Sequence, residues 1–167
     1  MLLGVDLGIR TGIALYDPHG KLLQYRSQNY GTMTRLRRGA HGVMQETQGL
    51  SWLVLEGGGA VASLWQREAE KNSIRVITIG AEQWRNDLFH PRARRTGVMA
   101  KESAIEAARL IIAWSGASRP TTLRHDAAEA ILTGFWGVLR LGWLNAVPGS
   151  LQNSLKSPPF LRTNEKP

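Results

Sequence analysis

Apolar and polar positions along the chain follow the patterns of short strands and amphipathic helices. Five runs of strand length, four of them mainly apolar, predict strands at residues 2–6, 11–16, 21–29, 52–55 and 74–79. Asp17-Pro18-His19-Gly20 has the composition of a tight turn between the second and third runs. The first three strands are therefore predicted to form an antiparallel meander.

Helical spacing predicts the remaining elements. The predicted helices lie at residues 32–48, 60–72, 81–89, 99–114 and 120–145, with an irregular basic segment at residues 90–97. Strands come first and then alternate with helices, which is typical of an α/β fold. We expect a five-stranded mixed sheet, with three antiparallel strands followed by two parallel ones, flanked by helices.

The chain length of 167 residues suits one domain with its own hydrophobic core. Residues 1–146 contain all the predicted strands and helices and form that domain. Residues 147–167 are rich in Pro, Ser and Asn, which predicts a disordered C-terminal tail.

The composition adds a strong positive charge, with 21 Lys and Arg against 13 Asp and Glu and a net charge of +8. A surplus of that size favours a polyanionic partner such as nucleic acid. A solvated basic surface is the alternative, and charge alone does not choose between them. The chain contains no cysteine, which excludes a disulfide framework and any thiolate metal site.

The sequence also indicates a cellular compartment. No apolar run approaches the roughly 20 residues of a membrane helix. Asp6 interrupts the segment that a secretory leader would keep apolar. We therefore expect a cytoplasmic protein, associated with the nucleoid if its partner is DNA; an organellar location stays open if a targeting peptide has been removed.

Four carboxylates lie where a fold of this kind can direct them to one point. Asp6 ends the first predicted strand and Glu56 follows the fourth. Asp126 and Glu129 are three residues apart on one face of the last helix. Four neighbouring negative charges repel one another unless protons or cations compensate them. Mg²⁺ or Mn²⁺ suits this role because hard cations prefer oxygen ligands, and two ions roughly 4 Å apart can promote phosphodiester hydrolysis.

Each of these acids also has a purely structural explanation. Asp6 can shape a turn, and Glu56 can cap the glycines that follow it. Asp126 and Glu129 can form a solvated helix face. The order of the four acids along the chain favours the functional interpretation.

The same residues resemble the motifs of the RuvC-like nucleases. Gly4-Val5-Asp6-Leu7-Gly8, followed by Thr11-Gly12-Ile13-Ala14, is similar to their opening G-[ILV]-D-x-G and second strand. Val54-Leu55-Glu56 resembles their strand-four glutamate. His125-Asp126-Ala127-Ala128-Glu129-Ala130 resembles the D-A-A-[DE]-A motif of their last helix. The resemblance covers about residues 2–140 and points to the bacterial and plastid Holliday junction resolvases.

This resemblance implies an RNase H-like fold, a homodimer and a DNA endonuclease that resolves four-way junctions by paired symmetric nicks. It also implies Mg²⁺ or Mn²⁺, as two ions per active site, held by Asp6, Glu56, Asp126 and Glu129. The chain departs from the family at two places. Glu129 stands where many bacterial relatives carry Asp, and the glycines 57–59 stand where they carry an aromatic residue that can stack on junction bases.

Basic residues cluster before and within the fourth predicted helix. Thr96-Gly97 through Lys101 resembles the G-x-x-x-K stretch in which the family places its junction-binding residues. We expect this cluster to bind DNA phosphates, which positions DNA without reading its sequence. The residues are Arg85, Arg92, Arg94, Arg95 and Lys101. The resemblance also makes Lys101 a catalytic candidate beside the scissile phosphate, whereas a solvated loop is the alternative for the whole segment.

Three further features have open interpretations. Arg35, Arg37 and Arg38 form a second basic patch, on an outer or dimer-related surface. Trp84 belongs either to the core or to a groove. His125 adjoins the acidic pair, where it is either a ligand, an orienting group or an ordinary exposed histidine.

Other functions fit parts of the sequence. The RNA-processing branch of the same fold shares the early D-x-G motif, and so does the first phosphate loop of sugar and acetate kinases. Kinases of that type need two such lobes and a longer chain. An inactive DNA-binding module on the same fold is the remaining alternative, although such a module has no use for four mutually repelling acids.

Overall fold

The structure is a computed structural model, and it describes residues 1–162. Its strands are β1 (Leu2–Asp6), β2 (Arg10–Tyr16), β3 (Leu22–Asn29), β4 (Trp52–Glu56) and β5 (Arg75–Ile79). Its α-helices are α1 (Met33–Glu46), α2 (Gly59–Lys71), α3 (Ala81–Leu88), α4 (Gly97–Ser115), α5 (His125–Arg140) and α6 (Pro159–Arg162). Short 3-10 turns lie at Pro91–Arg94 and Gly149–Leu151.

The five strands form one mixed sheet in the order β3-β2-β1-β4-β5. β1, β2 and β3 pair antiparallel, whereas β1, β4 and β5 pair parallel. The predicted α/β architecture is therefore confirmed. The carboxyl ends of β1, β3, β4 and β5 lie at the same edge of the sheet. Asp6 and Glu56 end two of these strands, and we call this edge the acidic edge.

The core is divided between the two faces of the sheet because successive side chains of a strand point to opposite faces. Leu2 and Val54 belong to the apolar cluster beneath α4 and α5. Leu3 and Leu53 belong to the cluster beneath α1 and α2. The sheet is therefore the middle of three layers. By the same alternation, the even-numbered acids at the ends of β1 and β4 point towards α5.

Helix α5 lies close to the sheet because glycines occupy its crossing points with β1 and β2. A Cβ atom on Gly12 would overlap the backbone carbonyl of Asp126. A Cβ atom on Gly4 would lie 2.5 Å from the carbonyl oxygen of Ala130. These contacts set the distance between the sheet and the beginning of α5, which carries Asp126 and Glu129.

Helix α5 is shorter than the predicted helical region 120–145, because it begins and ends five residues inside those bounds. Its end is set by Gly142, which has a left-handed backbone with φ of 71°. The Trp143 N–H donates to the carbonyl of Val138, and the Gly142 N–H donates to that of Leu139. This pair of bonds is a Schellman motif, which terminates helices.

The segment after α5 packs against the domain as far as the structure describes it. Val147, Leu151 and Leu155 are buried in the core cluster of the α5 face, and the Phe160 ring packs edge-on against Trp136. Residues 147–162 therefore differ from the predicted disordered tail, because their apolar residues recur about every fourth position and reach one surface. Residues 163–167 of that prediction lie outside the described residues. None of the helices within residues 1–162 is long and apolar enough to span a bilayer.

Candidate metal centre

The pairing of β1 with β4 places two acids side by side. In this parallel register Asp6 lies opposite Glu56, and both side chains point towards α5. The Leu7 N–H continues the ladder by donating to the Glu56 carbonyl at 3.1 Å. The backbone register thus determines the spacing of these two carboxyl groups.

The beginning of α5 contributes a third acid to the same point. Glu129 lies one turn after His125 and one turn before Thr133, so the three share a helix face. One carboxylate oxygen from each of Asp6, Glu56 and Glu129 lies within 4.8 Å of the other two. Hard oxygen donors at that spacing can hold a divalent cation such as Mg²⁺ or Mn²⁺.

The side chain of Glu56 is fixed by several donors. Only 4% of this residue is exposed. Its Oε2 accepts a hydrogen bond from the Trp84 indole N–H at 2.7 Å and another from the Thr133 hydroxyl at 2.8 Å. Its Oε1 lies 3.4 Å from a guanidinium nitrogen of Arg85. The carboxylate therefore has one defined orientation towards the other acids.

Arg85 connects two of the acids. Its guanidinium contacts Glu129 as well as Glu56 and lies over the Trp84 ring, 4.4 Å from the ring centroid. Only 14% of the Arg85 side chain is exposed. The sequence predicts that Arg85 binds DNA phosphates; the structure places it within the acidic group, where its charge offsets part of the repulsion.

Burial and repulsion raise the pKa values of two acids. Burial is the largest cause, and with the charges of Glu56 and Asp126 it raises the pKa of Asp6 to about 7, although Arg85 opposes the shift. Burial also raises the pKa of Glu56, against the hydrogen bond from Thr133 and the charge of Arg85. Carboxylates in this condition favour a proton or a cation between them, which is the electrostatic requirement of a metal site.

Asp126 lies beside the three converging acids. Its Oδ2 accepts a hydrogen bond from the Ser27 hydroxyl at 2.5 Å, and its Oδ1 accepts one from the Ala127 N–H at 3.0 Å. It lines an open pocket of about 560 Å³ together with Asp6 and Glu129. The same pocket is lined by Arg10, Thr122, Arg124 and His125. The four predicted acids thus lie in one place, as a group of three with a fourth at its rim.

His125 faces the acids from the first turn of α5. Its Nε2 lies 3.5 Å from Glu129 Oε1, and its buried Nδ1 has no hydrogen-bond partner within residues 1–162. Burial, followed by the charges of Lys101 and Arg85, lowers the pKa of this imidazole. The neutral ring is therefore favoured, and neutral imidazole is the form that binds metals or accepts protons.

Within residues 1–162, the other predicted basic residues form no ion pair with the acids of the site. Lys101 is exposed on α4 and lies near enough to His125 to affect its pKa. Arg92 and Arg95 are exposed and Arg94 is half-buried, around the 3-10 turn that precedes α4.

Sequence reasoning missed three partners of the acids. Thr133 could have been found, because it follows Glu129 by four residues on the same helix. The sequence allows Trp84 either in the core or in a groove; the ring is fully buried, and its N–H donates a hydrogen bond to Glu56. The sequence pattern of β3 does not predict that Ser27 contacts Asp126.

Among the comparisons with known proteins, the one with solved structures agrees with this architecture. No protein-family model matches the chain, and no curated protein sequence matches it. Among solved structures, the chain is similar to T. thermophilus RuvC in complex with a Holliday junction substrate, with a TM-score of 0.55. The fold is RNase H-like. The alignment covers 84% of this chain and 95% of that one. The sequence identity is 16%, so the similarity is one of fold.

Proposed function

We propose that this protein is a divalent-metal-dependent endonuclease that resolves four-way DNA junctions by paired symmetric nicks. The observation that carries the proposal is the convergence of Asp6, Glu56 and Glu129 at the acidic edge of an RNase H-like sheet. A solved structure with a similar fold is RuvC in complex with a Holliday junction substrate. A net charge of +8 suits a DNA partner.

The acids are proposed as the ligands of Mg²⁺ or Mn²⁺, with Asp6, Glu56 and Glu129 at the centre and Asp126 at the rim. Two such ions would activate a water molecule and stabilise the oxygen that leaves the phosphodiester. The protein itself orients these ligands. Hydrogen bonds to Glu56 from an indole and a hydroxyl leave its carboxylate little freedom to turn away.

The basic residues near the site are proposed to hold the DNA. Lys101 lies close to the acidic turn of α5 and would contact the phosphate that is cut. Phosphates further from the cut would be contacted by Arg92, Arg94 and Arg95, since their segment precedes the helix that carries Lys101. Arg85 would contact the DNA from within the acidic group.

A homodimer completes the proposal. Paired symmetric nicks need two active sites, and a two-fold axis relating two copies of the chain matches the symmetry of a four-way junction. The dimer is therefore expected to place two acidic edges on opposing strands.

The decisive experiment is cleavage of a synthetic four-way junction by the purified full chain. With Mg²⁺ or Mn²⁺ present, we expect paired symmetric nicks in the junction and no cleavage of a linear duplex of the same sequence. EDTA and the Asp6→Asn variant should both abolish cleavage. The Glu56→Gln variant should still bind the junction without cutting it, whereas Glu102→Gln, at an exposed position on α4, should cut normally.

Two results would contradict the proposal. Junction binding without metal-dependent cleavage by the unaltered protein would indicate an inactive junction-binding module. Cleavage restricted to RNA or to simple single strands would indicate an RNA-processing nuclease of the same fold. Persistent cleavage by Glu56→Gln would overturn the role assigned to that acid.

A further inference from the structure

A second basic surface lies between α1 and α2, on the face of the sheet opposite α5. Arg37 and Arg38 on α1, with Arg67 and Lys71 on α2, line two adjoining pockets of about 630 and 500 Å³, which we call the basic groove. All four of these residues are exposed. Within residues 1–162, none of the three arginines has a carboxylate within ion-pair distance.

Helical spacing arranges the polar groups of α2 along one wall of the groove. Ser63, Arg67 and Lys71 follow one another at intervals of four residues, so they project from the same side of the helix. Eight residues of helix rise about 12 Å. That length is enough to reach more than one phosphate of a DNA strand.

Two carboxylates also line the groove: Glu70 is exposed, and Glu68 is buried at the floor with its charge already compensated. Glu68 accepts a hydrogen bond from Lys71 at 2.7 Å and contacts His41 Nδ1 at 3.2 Å. Because this acid joins α1 to α2, it holds the two walls at a fixed separation. The arginines on those walls remain available to an external anion.

The groove opens at the acidic edge. Because β3 runs parallel to β1, its carboxyl end lies at the acidic edge, and α1 begins shortly after it. Helix α2 begins three residues after Glu56, at the same edge. Met33 and Ala60, at the first turns of the two helices, line this end of the groove. Both helices therefore direct the positive ends of their dipoles towards the same edge as the acids.

We propose that the basic groove binds the phosphate backbone of a DNA arm that leaves the acidic edge. It would be a second DNA contact, on a different face from Lys101 and the arginines before α4. This inference rests on the proposed function, because it takes DNA as the substrate. A second copy of the same face is an unsuitable occupant, since a symmetric contact would bring two sets of like charges together.

The test is DNA binding by the Arg37→Gln/Arg67→Gln double variant, measured by fluorescence anisotropy in EDTA with labelled four-way junctions. The matched control is Arg75→Gln/Arg109→Gln, which removes the same charge from exposed positions at the opposite edge and on α4. For the groove variant we expect roughly tenfold weaker binding at low salt. The slope of log K against log salt should fall by about 2, since each phosphate contact contributes about 0.9. The control should keep the slope of the unaltered protein.

Arm length gives a second readout. The unaltered protein should lose affinity when the junction arms are cut to less than one helical turn, and the groove variant should be insensitive to that truncation. An unchanged salt slope together with unchanged arm dependence would overturn the groove proposal. A change of oligomeric state in the groove variant on size-exclusion chromatography would also overturn it, because the face would then be an interface between copies.

The two proposals can fail separately. If the protein cuts no junction but the groove variant shows the reduced salt slope, the groove stands and the nuclease assignment fails. If junctions are cut selectively and the groove variant binds like the control, the nuclease assignment stands and the groove fails.

Discussion

The two faces of the sheet differ in whether their charged side chains are buried and paired or exposed to solvent. On the α5 face, helix and strands touch through glycine, and the charged groups at the acidic edge are largely buried and paired with one another. On the α1 and α2 face, an apolar layer separates the sheet from the outer side of the helices, and Arg37, Arg38 and Arg67 are exposed. Charge changes on the first face should therefore alter folding stability, and charge changes on the second should alter only binding.

The largest effect expected on the α5 face comes from its glycine contact. Gly12→Ala should lower the free energy of unfolding by about 3 kcal/mol, because a Cβ atom there overlaps the backbone of α5, which cannot shift independently of its helix. Urea unfolding would measure the loss. Gly58→Ala is the matched control, since a Cβ atom at Gly58 meets no atom within 4 Å. Equal stability of the two variants would refute the close-approach argument.

Removing the buried cation should have the next largest effect. Arg85→Gln leaves Glu56 and Glu129 facing each other without the guanidinium between them. We expect it to lower the free energy of unfolding in EDTA by about 2 kcal/mol, somewhat less than for a fully buried pair. Arg95→Gln removes an exposed arginine and should change stability little. If both variants unfold at the same urea concentration, the charge on this face is not coupled to folding.

The pKa of Asp6 predicts a pH dependence. The folded state raises the pKa of this acid from its ordinary 3.8 to about 7, so the folded protein holds the proton more tightly than the unfolded chain. Stability in EDTA should therefore fall as the pH rises from about 4 to about 7. Asp6→Asn removes this loss and should be roughly 2 kcal/mol more stable than the unaltered protein at pH 8, with no difference near pH 4.

Thermal unfolding across pH would test this, with Glu102→Gln as the control for loss of a carboxylate. A variant that is less stable than the unaltered protein at pH 8 would show that Asp6 is not destabilised by its surroundings.

The smallest effect concerns the rim of the site. Ser27→Ala removes the hydrogen bond that holds Asp126 and should cost about 1 kcal/mol of stability. Cleavage should fall more than junction binding, because Asp126 would lose its orientation. Ser27→Thr keeps the hydroxyl and should restore cleavage. If Ala and Thr behave alike, the hydroxyl does not position the acid.

The sequence predicted those parts of the site that follow from local pattern. Asp6 and Glu56 come at the ends of apolar strands, and Glu129 has helical spacing to Asp126, so their convergence could be anticipated. The contacts of Trp84 and Ser27 could not, because each joins elements far apart in the chain. Whether the N–H of the buried Trp84 ring reaches a carboxylate depends on how α3 packs on the domain, and local sequence patterns do not determine that packing.

The fold was predictable for a related reason. The strand directions follow from the alternation of elements, whereas helix ends depend on single residues such as Gly142. Residues 147–162 differ from the predicted tail because composition alone does not show how their apolar residues are spaced. The three buried aliphatic residues of this segment are few in number but regular, and regularity determines which surface they reach.

The parallel register of β1 and β4 has a consequence for how such a protein can change over time. Asp6 and Glu56 are aligned by hydrogen bonds between main-chain atoms, which every amino acid except proline can make. Substitutions throughout the apolar layers can therefore accumulate without moving the two acids apart. A solved structure of similar fold shares only 16% of its residues with this chain, so much of the packing can differ while the fold stays similar. In this architecture the main-chain ladder, more than the identity of any one apolar side chain, keeps the two acids side by side.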